Sequence, residues 1–586
     1  MTRLMNRIQR CLLLFLFLFF GVIPEAFGKY VLIDPAKSIS SQMTLSDCTY
    51  EIRDNFTLRG GLLTVPKNCC LVFRGGSISD GAITFNNTTL EGNVNIRLKN
   101  AGAVKGRIGN ETIYTHWFNV KDDELFVLLN SLLPENSHKT YCVETATYTI
   151  TTPLIIRDIS DAVFDFKGAT LVDQTQGESI LLHRPNPMIL IRTSHNIEIK
   201  NLDYQLSSNR YFTTTGTSVI WIGAGSNDWD KDCYNIRITN ITGKGDLVKS
   251  VKGGTSSNML LDCVGNMHNI ELSNVDFDGD VASLCNFEWG LLPADTKTYQ
   301  QRGIKLPSNY GIHPFNITVR NVVGRNAPSS SGYIRMSSCY NVLVENCYGY
   351  NVNSLVMLYN GDMSIARVNG SAIVRNCASY INDGYKGKAL SGLLIFNTYE
   401  DPVSSKKHSL DLDHNMSYII ENCEFQGIPG VTGNGIRVLG GDGNVVFTNV
   451  TVKNFTLAAK LSGAVGHNKV GGLAFNNCLF LNNTSSIELY SLDNCVFQSC
   501  IFRNNISHDK NKIGDSQVAV YTGVSGFSLR DCVFEDNSKN NKASFVTFEQ
   551  KDNVKAQIEN CSFIGSKSEA PIIIPKTVSL NDCKIN

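Results

Sequence analysis

A short motif of alternating apolar and polar positions recurs from about residue 195 to the C-terminus. A clear copy reads His195-Asn196-Ile197-Glu198-Ile199-Lys200-Asn201, and looser copies follow at irregular intervals. A fixed strand pattern joined by segments of variable length is typical of a solenoid repeat protein. Thirteen copies end at the following residues: Asn201, Asn240, Asn274, Asn321, Asn346, Asn376, Asn422, Asn449, Asn477, Ser499, Asp531, Asn560 and Asp582.

The phase of the apolar positions predicts a bend at each of these residues. Apolar residues lie four and two positions before the final residue, as Ile197 and Ile199 do, and one and three positions after it, as Cys478 and Phe480 do. Each set alternates with period two, as a strand with one buried face should. The two sets lie an odd number of residues apart, so both face inward only if the chain bends between them. Asn tolerates the left-handed conformation of such a corner, and stacked Asn side chains can hydrogen-bond between coils.

Two solenoids share some of these features. A leucine-rich repeat also carries Asn or Cys after a short strand, but its spine is rich in Leu and its period is regular. Here Ile, Val, Cys and Phe dominate the apolar positions, and the spacing varies. The pattern therefore predicts an all-β protein, a parallel β-helix.

Cysteine is concentrated at one position of the repeat. Of the 18 cysteines, eight directly follow the corner residue: Cys347, Cys377, Cys423, Cys478, Cys500, Cys532, Cys561 and Cys583. In an exported chain this number suggests disulfides. One interior column of neighbouring strands, however, has parallel Cβ vectors that suit disulfide geometry poorly. We therefore predict mostly reduced, buried thiols, and the absence of a CxxC pattern argues against a zinc site.

The N-terminus has the pattern of an export signal. Three arginines among the first ten residues precede the apolar run 11–20, and Ala26-Phe27-Gly28 offers a small-x-small cleavage site. We expect residues 1–28 to be a signal peptide and the mature chain to be secreted, periplasmic or on the cell surface, without stable membrane insertion; a retained anchor is the weaker alternative. Lys plus Arg and Asp plus Glu each number 53, so charge indicates no nucleic-acid partner.

The region before the repeat divides into two parts. Residues 29–113 contain short strand-like runs separated by Gly and Asn, which predicts a module of shorter β coils. Residues 114–160 contain an apolar-periodic stretch, Leu125 to Leu133, opened by acidic residues and closed by Pro134, which predicts a short helix. The helix is suited to cap the open end of the β-helix of residues 161–586, and an ordinary linker helix is the alternative.

Several of these segments together resemble the pectate-lyase-like superfamily. The motifs are Trp117-Phe118, the acidic helix start, Tyr148-Thr149-Ile150 and the Asn-Ile-x-Ile-x-Asn units. The segment Gly75 to Gly81, of the pattern Gly-Gly-Ser-Ile-Ser-x-Gly, is similar to a module of secreted β-helix proteins of Bacteroidetes. The resemblance implies a right-handed parallel β-helix and a polysaccharide or oligosaccharide ligand. It does not imply one reaction, because the superfamily contains hydrolases, lyases, epimerases, tailspikes and non-catalytic members. The motifs of polygalacturonases and pectate lyases are absent, which disfavours a pectin-specific activity.

The long interval between Asn274 and Asn321 carries the main candidate residues for chemistry. The candidate catalytic residues are Asp276, Asp278, Asp280, Glu288 and His313, and the candidate substrate-binding residues are Trp289 and Tyr310. Asp276 and Asp278 should point outward about 7 Å apart, within the range of carboxylate pairs in glycosidic hydrolysis. Trp289 could stack on a sugar and raise the pKa of Glu288. Turn formation and a possible calcium site are the alternative interpretations of the three aspartates.

A second long interval, Asn376 to Asn422, carries residues suited to lyase chemistry, or to a solvated loop. They are Asp383, Tyr385, Lys386, Glu400, Asp401, Lys406, Lys407, His408, Asp411, Asp413 and His414. Three functions therefore stay open: a secreted glycoside hydrolase, a polysaccharide lyase, and a non-catalytic glycan-binding surface protein or adhesin. The oligomeric state is open as well.

Overall fold

The computed structural model divides the chain into two compact units, an N-terminal unit ending at Cys142 and a C-terminal unit spanning Val143–Asn586. The residues that it describes are 29–98, 100–180, 182, 184–213, 215–223, 232–248, 258–288, 314–337, 339–359, 370–387, 390–396, 398–400, 407–409, 416–439, 444–462, 472–505, 516–537, 544–549, 554–565 and 570–586. Trp289, Tyr310 and His313 lie outside these residues, and so does the predicted signal peptide.

The N-terminal unit consists of short strands that pair in parallel in successive turns of the chain. Cys48–Ile52 lies beside Cys70–Phe73, which lies beside the end of Ala82–Gly92. Short coils in this region were predicted from the sequence. The strands are Lys29–Leu32, Cys48–Ile52, Asn55–Thr57, Leu62–Thr64, Cys70–Phe73, Ser77–Ser79, Ala82–Gly92, Ile96–Arg97, Val104–Ile108, Thr112–Tyr114 and Thr140–Cys142.

The predicted short helix is present and covers a strand of the same unit. It spans Leu125–Leu132, continues as a 3-10 turn over Leu133–Glu135, and buries five apolar residues against the strand Val104–Ile108. The buried Asn136 amide completes the contact, because it donates to the carbonyl oxygen of Gly106 at 2.9 Å and accepts from the backbone N–H of Ile108 at 2.8 Å. The other helical turns are Ile39–Gln42, Ala101–Ala103 and Thr115–Phe118.

The C-terminal unit contains a long parallel sheet whose strands bend at the predicted corner residues; we call it the corner sheet. In the first coils a single long strand runs through the corner, and in later coils the strand divides there. The strands are Thr147–Ile150, Ser160–Asp173, His195–Leu206, Cys233–Lys244, Met267–Asp278, Phe315–Arg325, Tyr340–Tyr350, Gly370–Arg375, Ala378–Tyr380, Met416–Glu421, Glu424–Gln426, Asn444–Thr448, Thr451–Lys453, Leu473–Asn476, Leu479–Leu481, Cys495–Gln498, Ile501–Arg503, Gly526–Arg530, Val533–Glu535, Lys555–Glu559, Ser562–Ile564, Ser579–Asn581 and Lys584–Ile585.

All thirteen predicted corner residues have the left-handed backbone, with φ between 52° and 58°. The predicted ladder is present as well: the side-chain amide of Asn240 donates to Asn201 at 2.9 Å, and Asn321 donates to Asn274 at the same distance. A parallel ladder runs five residues earlier in the coils from Asn196 to Asn341, where Asn235 donates to Asn196 at 2.7 Å. Each long strand from His195–Leu206 to Tyr340–Tyr350 therefore contains two left-handed asparagines.

A second parallel sheet of fourteen strands completes the coils in the described part of this unit. We call it the second sheet. Its strands are Leu154–Arg157, Ile189–Arg192, Ser218–Gly223, Met259–Val264, Ser283–Glu288, Ile334–Ser337, Val356–Tyr359, Leu390–Phe396, Gly433–Leu439, Leu457–Ser462, Ser485–Tyr490, Val518–Val520, Val546–Phe548 and Ile572–Ile573. Two antiparallel hairpins lie outside both sheets, Glu178–Ser179 with Arg184–Pro185 and Thr398–Glu400 with Lys407–Ser409.

The cysteine column lies inside the solenoid, and all seventeen cysteines of the described residues are free thiols. Each thiol of the column donates to the carbonyl oxygen two residues earlier, as Cys347 does to Glu345 at 3.3 Å and Cys532 to Arg530 at 3.2 Å. A small side chain with a weak donor therefore suits a position directly after a corner. None of the helices in the described residues is long and apolar enough to cross a membrane.

Candidate functional site

Four outward positions on neighbouring strands of the second sheet carry polar or aromatic side chains. Trp221 pairs with Asp262, Asp262 with Asn286, and Asn286 with Arg335. Their chain neighbours point inward and form the core, so these four point away from it. We call them the outer row. Trp221, Asp262 and Asn286 are nevertheless at most 4% exposed. Buried polar side chains normally have hydrogen-bond partners.

Asp262 is held by three neighbours. One carboxylate oxygen accepts from the Asn286 amide at 3.0 Å, and the other accepts from the Ser218 hydroxyl at 3.2 Å and lies 3.5 Å from the Arg184 guanidinium. Burial raises the pKa of Asp262, and Arg184, Asn286 and Ser218 oppose the rise. Arg184 also lies over the Trp221 ring, 4.6 Å from its centre, which fixes the guanidinium against the outer row.

Glu288 occupies the neighbouring strand in a different environment. Its side chain is 18% exposed, against 3% for Asp262, and a carboxylate oxygen lies 3.5 Å from the Arg335 guanidinium. Arg335 in turn donates to the Ser337 hydroxyl at 3.1 Å and lies 5.7 Å from the centre of the Tyr359 ring. One carboxyl group is therefore buried and the other reaches solvent beside a cation.

The register sets the separation of the two carboxyl groups. Asp262 pairs with Asn286, and Glu288 lies two residues further along the same strand, opposite Val264. One strand spacing and two residues of rise place their Cα atoms roughly 8 Å apart, with both side chains on the same face of the sheet. Inverting glycoside hydrolases separate their two carboxyl groups by roughly 6.5 to 9.5 Å, which leaves space for a water molecule.

Two buried polar atoms of the outer row have no hydrogen-bond partner among the described residues: the indole N–H of Trp221 and the amide oxygen of Asn286. Buried polar atoms are rarely left without a partner. A donor and an acceptor beside Asp262 can therefore hold hydroxyl groups of a bound ligand.

The structure places Asp276 and Asp278 elsewhere, on the outer face of the corner sheet. Both are exposed and alternate with the buried Val275 and Phe277, so the predicted strand phase is confirmed. Asp276 pairs with Arg325, and Asp278 accepts from the Asn326 amide at 2.7 Å. The structure thus does not place this pair on the sheet that carries Glu288.

Asp280 lies at the end of the same coil and is 2% exposed. Its carboxylate accepts from the Ser329 backbone N–H at 3.0 Å and from the Ser329 hydroxyl at 2.8 Å, contacts that fix a turn. Tyr385, from the second long interval, is near enough for the Asp280 charge to act on it. Burial, with a smaller contribution from Asp280, raises the pKa of Tyr385 to about 12, so this hydroxyl is a poor base at neutral pH.

The remaining candidates of the second interval are only partly described. Asp401, Lys406, Asp411, Asp413 and His414 lie outside the described residues, as do the side chains of Glu400, Lys407 and His408. Within the described residues, no three His, Cys, Asp or Glu side chains are arranged to hold a metal ion. The aspartates at 276, 278 and 280 therefore do not form the calcium cluster considered from the sequence.

Sequence reasoning missed the whole outer row, as well as Arg184, which lies against it. Of the residues around the row, only Glu288 is a sequence-predicted candidate. The available signal was a polar residue in the middle of an otherwise apolar run, as in Leu260-Leu261-Asp262-Cys263-Val264.

Comparison with known proteins agrees with the architecture. Residues 402–563 match the family described as right handed beta helix region. The chain is a right-handed parallel β-helix protein. The right-handed parallel β-helix that the sequence resemblance implies is thereby confirmed. No curated protein matches the chain at a significant level.

Solved structures with some similarity to the β-helix include three carbohydrate-related proteins. A mutant tailspike protein of E. coli bacteriophage HK620 in complex with pentasaccharide has 12% identity and a TM-score of 0.41, over 76% of this chain and 71% of that one. The mannuronan C-5 epimerase AlgE4 A-module of Azotobacter vinelandii has 12% identity and a TM-score of 0.29, over 76% of this chain and 86% of that one. The endo-xylogalacturonan hydrolase of Aspergillus tubingensis has 10% identity and a TM-score of 0.28, over 78% of this chain and 95% of that one. Similarities at this level carry no inference about activity.

Proposed function

We propose that this β-helix protein is an exported glycoside hydrolase that cleaves a polysaccharide with inversion, using Asp262 as general acid and Glu288 as general base. The observation that carries the proposal is the pair of carboxyl groups on adjacent strands in contrasting environments, at a separation suited to an inverting mechanism. Enzymes that run acid and base chemistry with two carboxyl groups separate their roles by environment in this way.

Each residue has a defined role in the proposed reaction. Burial favours the protonated form of Asp262, which can donate its proton to the glycosidic oxygen as the bond breaks. Ser218 and Asn286 orient this carboxyl group through their hydrogen bonds. Glu288, partly exposed beside Arg335, is placed to take a proton from the attacking water. The water oxygen becomes the new anomeric hydroxyl, and the departing sugar takes the proton from Asp262.

The substrate class and the location rest on other features. Tyr359 lies two strands beyond Glu288 and is partly exposed, and aromatic side chains offer apolar surface to the C–H faces of sugar rings. The resemblance of the sequence to the pectate-lyase-like superfamily also favours a polysaccharide. Export is proposed from the arginines, the apolar run and the small-x-small site of residues 1–28.

The test is a polysaccharide screen with reducing-end release, absorbance at 235 nm and the anomeric configuration of the first product as readouts. We expect new reducing ends without added absorbance, and an inverted anomer. Glu288→Gln and Asp262→Asn should each lower kcat by at least about a hundredfold. Asp276→Asn, an exposed carboxylate on the other sheet, is the matched control and should retain activity.

Three results would overturn the proposal. An unsaturated product absorbing at 235 nm would indicate a lyase. A retained anomer would exclude the inverting pair. Loss of activity in Asp276→Asn with full activity in Asp262→Asn and Glu288→Gln would move the site to the corner sheet.

A further inference from the structure

We propose a second, non-catalytic glycan-binding surface on the outer face of the corner sheet, formed by Tyr348, Tyr350 and Tyr380. We call these residues the tyrosine shelf. The surface lies on a different sheet from Asp262 and Glu288, and its ligand would be a polysaccharide of neutral sugars. It goes beyond the proposed hydrolysis and does not depend on it.

The shelf is a rigid aromatic surface open to solvent. Tyr348 and Tyr350 alternate with the buried residues Cys347 and Gly349, so both side chains point outward from one strand. They are 36% and 41% exposed, which places them among the most exposed large apolar side chains of the described residues. Tyr380 lies on the next coil directly opposite Tyr350, and the two rings stack with centres 5.7 Å apart.

The surroundings of the shelf leave Tyr348 accessible. Its partners on the two adjacent coils are Val323 and Ala378, whose side chains are shorter than the tyrosine ring. Tyrosine has few rotatable bonds, so fixing its ring on a ligand costs little conformational entropy. A sugar ring can therefore contact apolar surface here while its hydroxyl groups remain hydrated.

Polar groups border the shelf on both sides. On one side Arg325 lies opposite Tyr350 and pairs with Asp276. On the other side the hydroxyl of Tyr380 donates to Glu424 at 3.4 Å, and Lys453 lies 2.5 Å from the same carboxylate. Carboxylates and guanidinium groups next to aromatic rings can bind sugar hydroxyls, so the arrangement suits a carbohydrate better than an aliphatic ligand.

The charges beside the shelf point to a neutral glycan. Arg325 is paired with Asp276 and Lys453 with Glu424, and Asp278, bonded to the Asn326 amide, lies opposite Lys244, so the charges beside the shelf balance. A polyuronate would therefore meet no surplus of positive charge to hold its carboxylates. Neutral sugars bind through hydroxyl groups and need no such surplus.

The size of the shelf argues against a protein partner. At the observed exposures the three tyrosines present roughly 200 Å² of surface in total, because a tyrosine side chain offers about 150–250 Å². A stable protein interface needs about 800 Å² on each partner. Two or three sugar rings match the smaller area.

The test is affinity electrophoresis of the full chain through gels containing arabinoxylan, galactomannan or glucomannan, with polygalacturonate as the acidic probe. The parent carries Glu288→Gln, so that no probe is cleaved and the result does not depend on hydrolysis. We expect retardation by at least one neutral probe and none by polygalacturonate. Adding Tyr348→Ala and Tyr350→Ala should weaken the apparent affinity at least about tenfold.

The matched control is Tyr30→Ala, which removes a 59% exposed tyrosine from the N-terminal unit and should leave retardation unchanged. Unchanged thermal melting of each variant shows that folding is intact. The proposal is overturned if no neutral probe retards the parent, if the double tyrosine variant is retarded like the parent, or if polygalacturonate binds more tightly than the neutral probes. A parent that self-associates in sedimentation, with the dimer lost in the double variant, would assign the shelf to a second copy of the chain instead.

Discussion

Replacing one corner asparagine tests how much the ladder contributes to the stability of the solenoid. Asn321 is the clearest position, because it has φ 54°, donates to Asn274 at 2.9 Å and accepts from Asn346 at 3.2 Å. Asn321→Ala removes both hydrogen bonds, each contributing about 0.5–1.5 kcal/mol. It also places Ala in the left-handed region at a cost of about 1–2 kcal/mol. The local free energy of opening should fall by about 2–5 kcal/mol.

Hydrogen exchange is the appropriate assay, because a long repeat array does not unfold in one two-state step. Amides in the strands Phe315–Arg325 and Tyr340–Tyr350 should exchange roughly thirty-fold to a few thousand-fold faster, at 1.4 kcal/mol per factor of ten. Amides in the distant strand Gly526–Arg530 are the internal control and should be unaffected.

Two further variants separate strain from hydrogen bonding. Asn321→Gly also loses both bonds but tolerates positive φ, so it should recover about 1 kcal/mol relative to Asn321→Ala. Ser499 has φ 55° and makes no side-chain hydrogen bond within the described residues, so Ser499→Asn should slow local exchange by extending the ladder. Equal exchange rates in the Ala and Gly variants would show that backbone strain does not contribute to the loss of local opening free energy. Exchange rates unchanged from the parent protein in both variants would refute the ladder as a source of stability.

Three other predictions concern buried groups. Arg210 and Asp173 form a buried ion pair with 2.9 Å between Nε and the carboxylate, so Arg210→Met should lower the local free energy of opening measured by hydrogen exchange by about 3–5 kcal/mol, and Arg210→Met with Asp173→Asn should recover part of it. Among the described thiols, a maleimide should label the partly exposed Cys583 first in the native protein and Cys70 more slowly, because burial and Glu91 raise the pKa of Cys70 to about 12, and it should label every thiol after denaturation; rapid labelling of the seven buried cysteines of the column would contradict their burial. Burial raises the pKa of Asp262 above its unfolded value near 4, so the stability linked to this group is full below about pH 4 and is lost as pH rises through the raised pKa. Asp262→Asn should flatten this dependence of stability on pH. In the unmutated protein kcat should fall over the same pH interval, because the general acid loses its proton there.

The repeat of the corner sheet could be predicted because its signals are local. The alternation around Asn201 fixes which side chains face inward, and an asparagine between two strands of opposite phase requires a bend there. Every corner residue predicted in this way has positive φ. The cysteine column follows from the same phase, since a residue directly after a corner must face inward.

The outer row could not be predicted in the same way, because it forms between strands far apart in the sequence. Asp262 meets Asn286 across 24 residues and Ser218 across 44, and the intervening segments differ in length from coil to coil. A one-residue change of register would turn either side chain to the other face of the sheet. The pairing of a buried with a partly exposed carboxyl group therefore depends on tertiary structure.

The aspartates of the long interval illustrate the boundary between the two kinds of information. The sequence by itself determined that Asp276 and Asp278 point outward, because period-two alternation is a property of a single strand. Only the tertiary structure decided that they lie on the corner sheet beside Arg325 and close to the tyrosine shelf, whereas Glu288 lies on the second sheet. Local pattern specifies the direction of a side chain, and the stacking of coils specifies its neighbours.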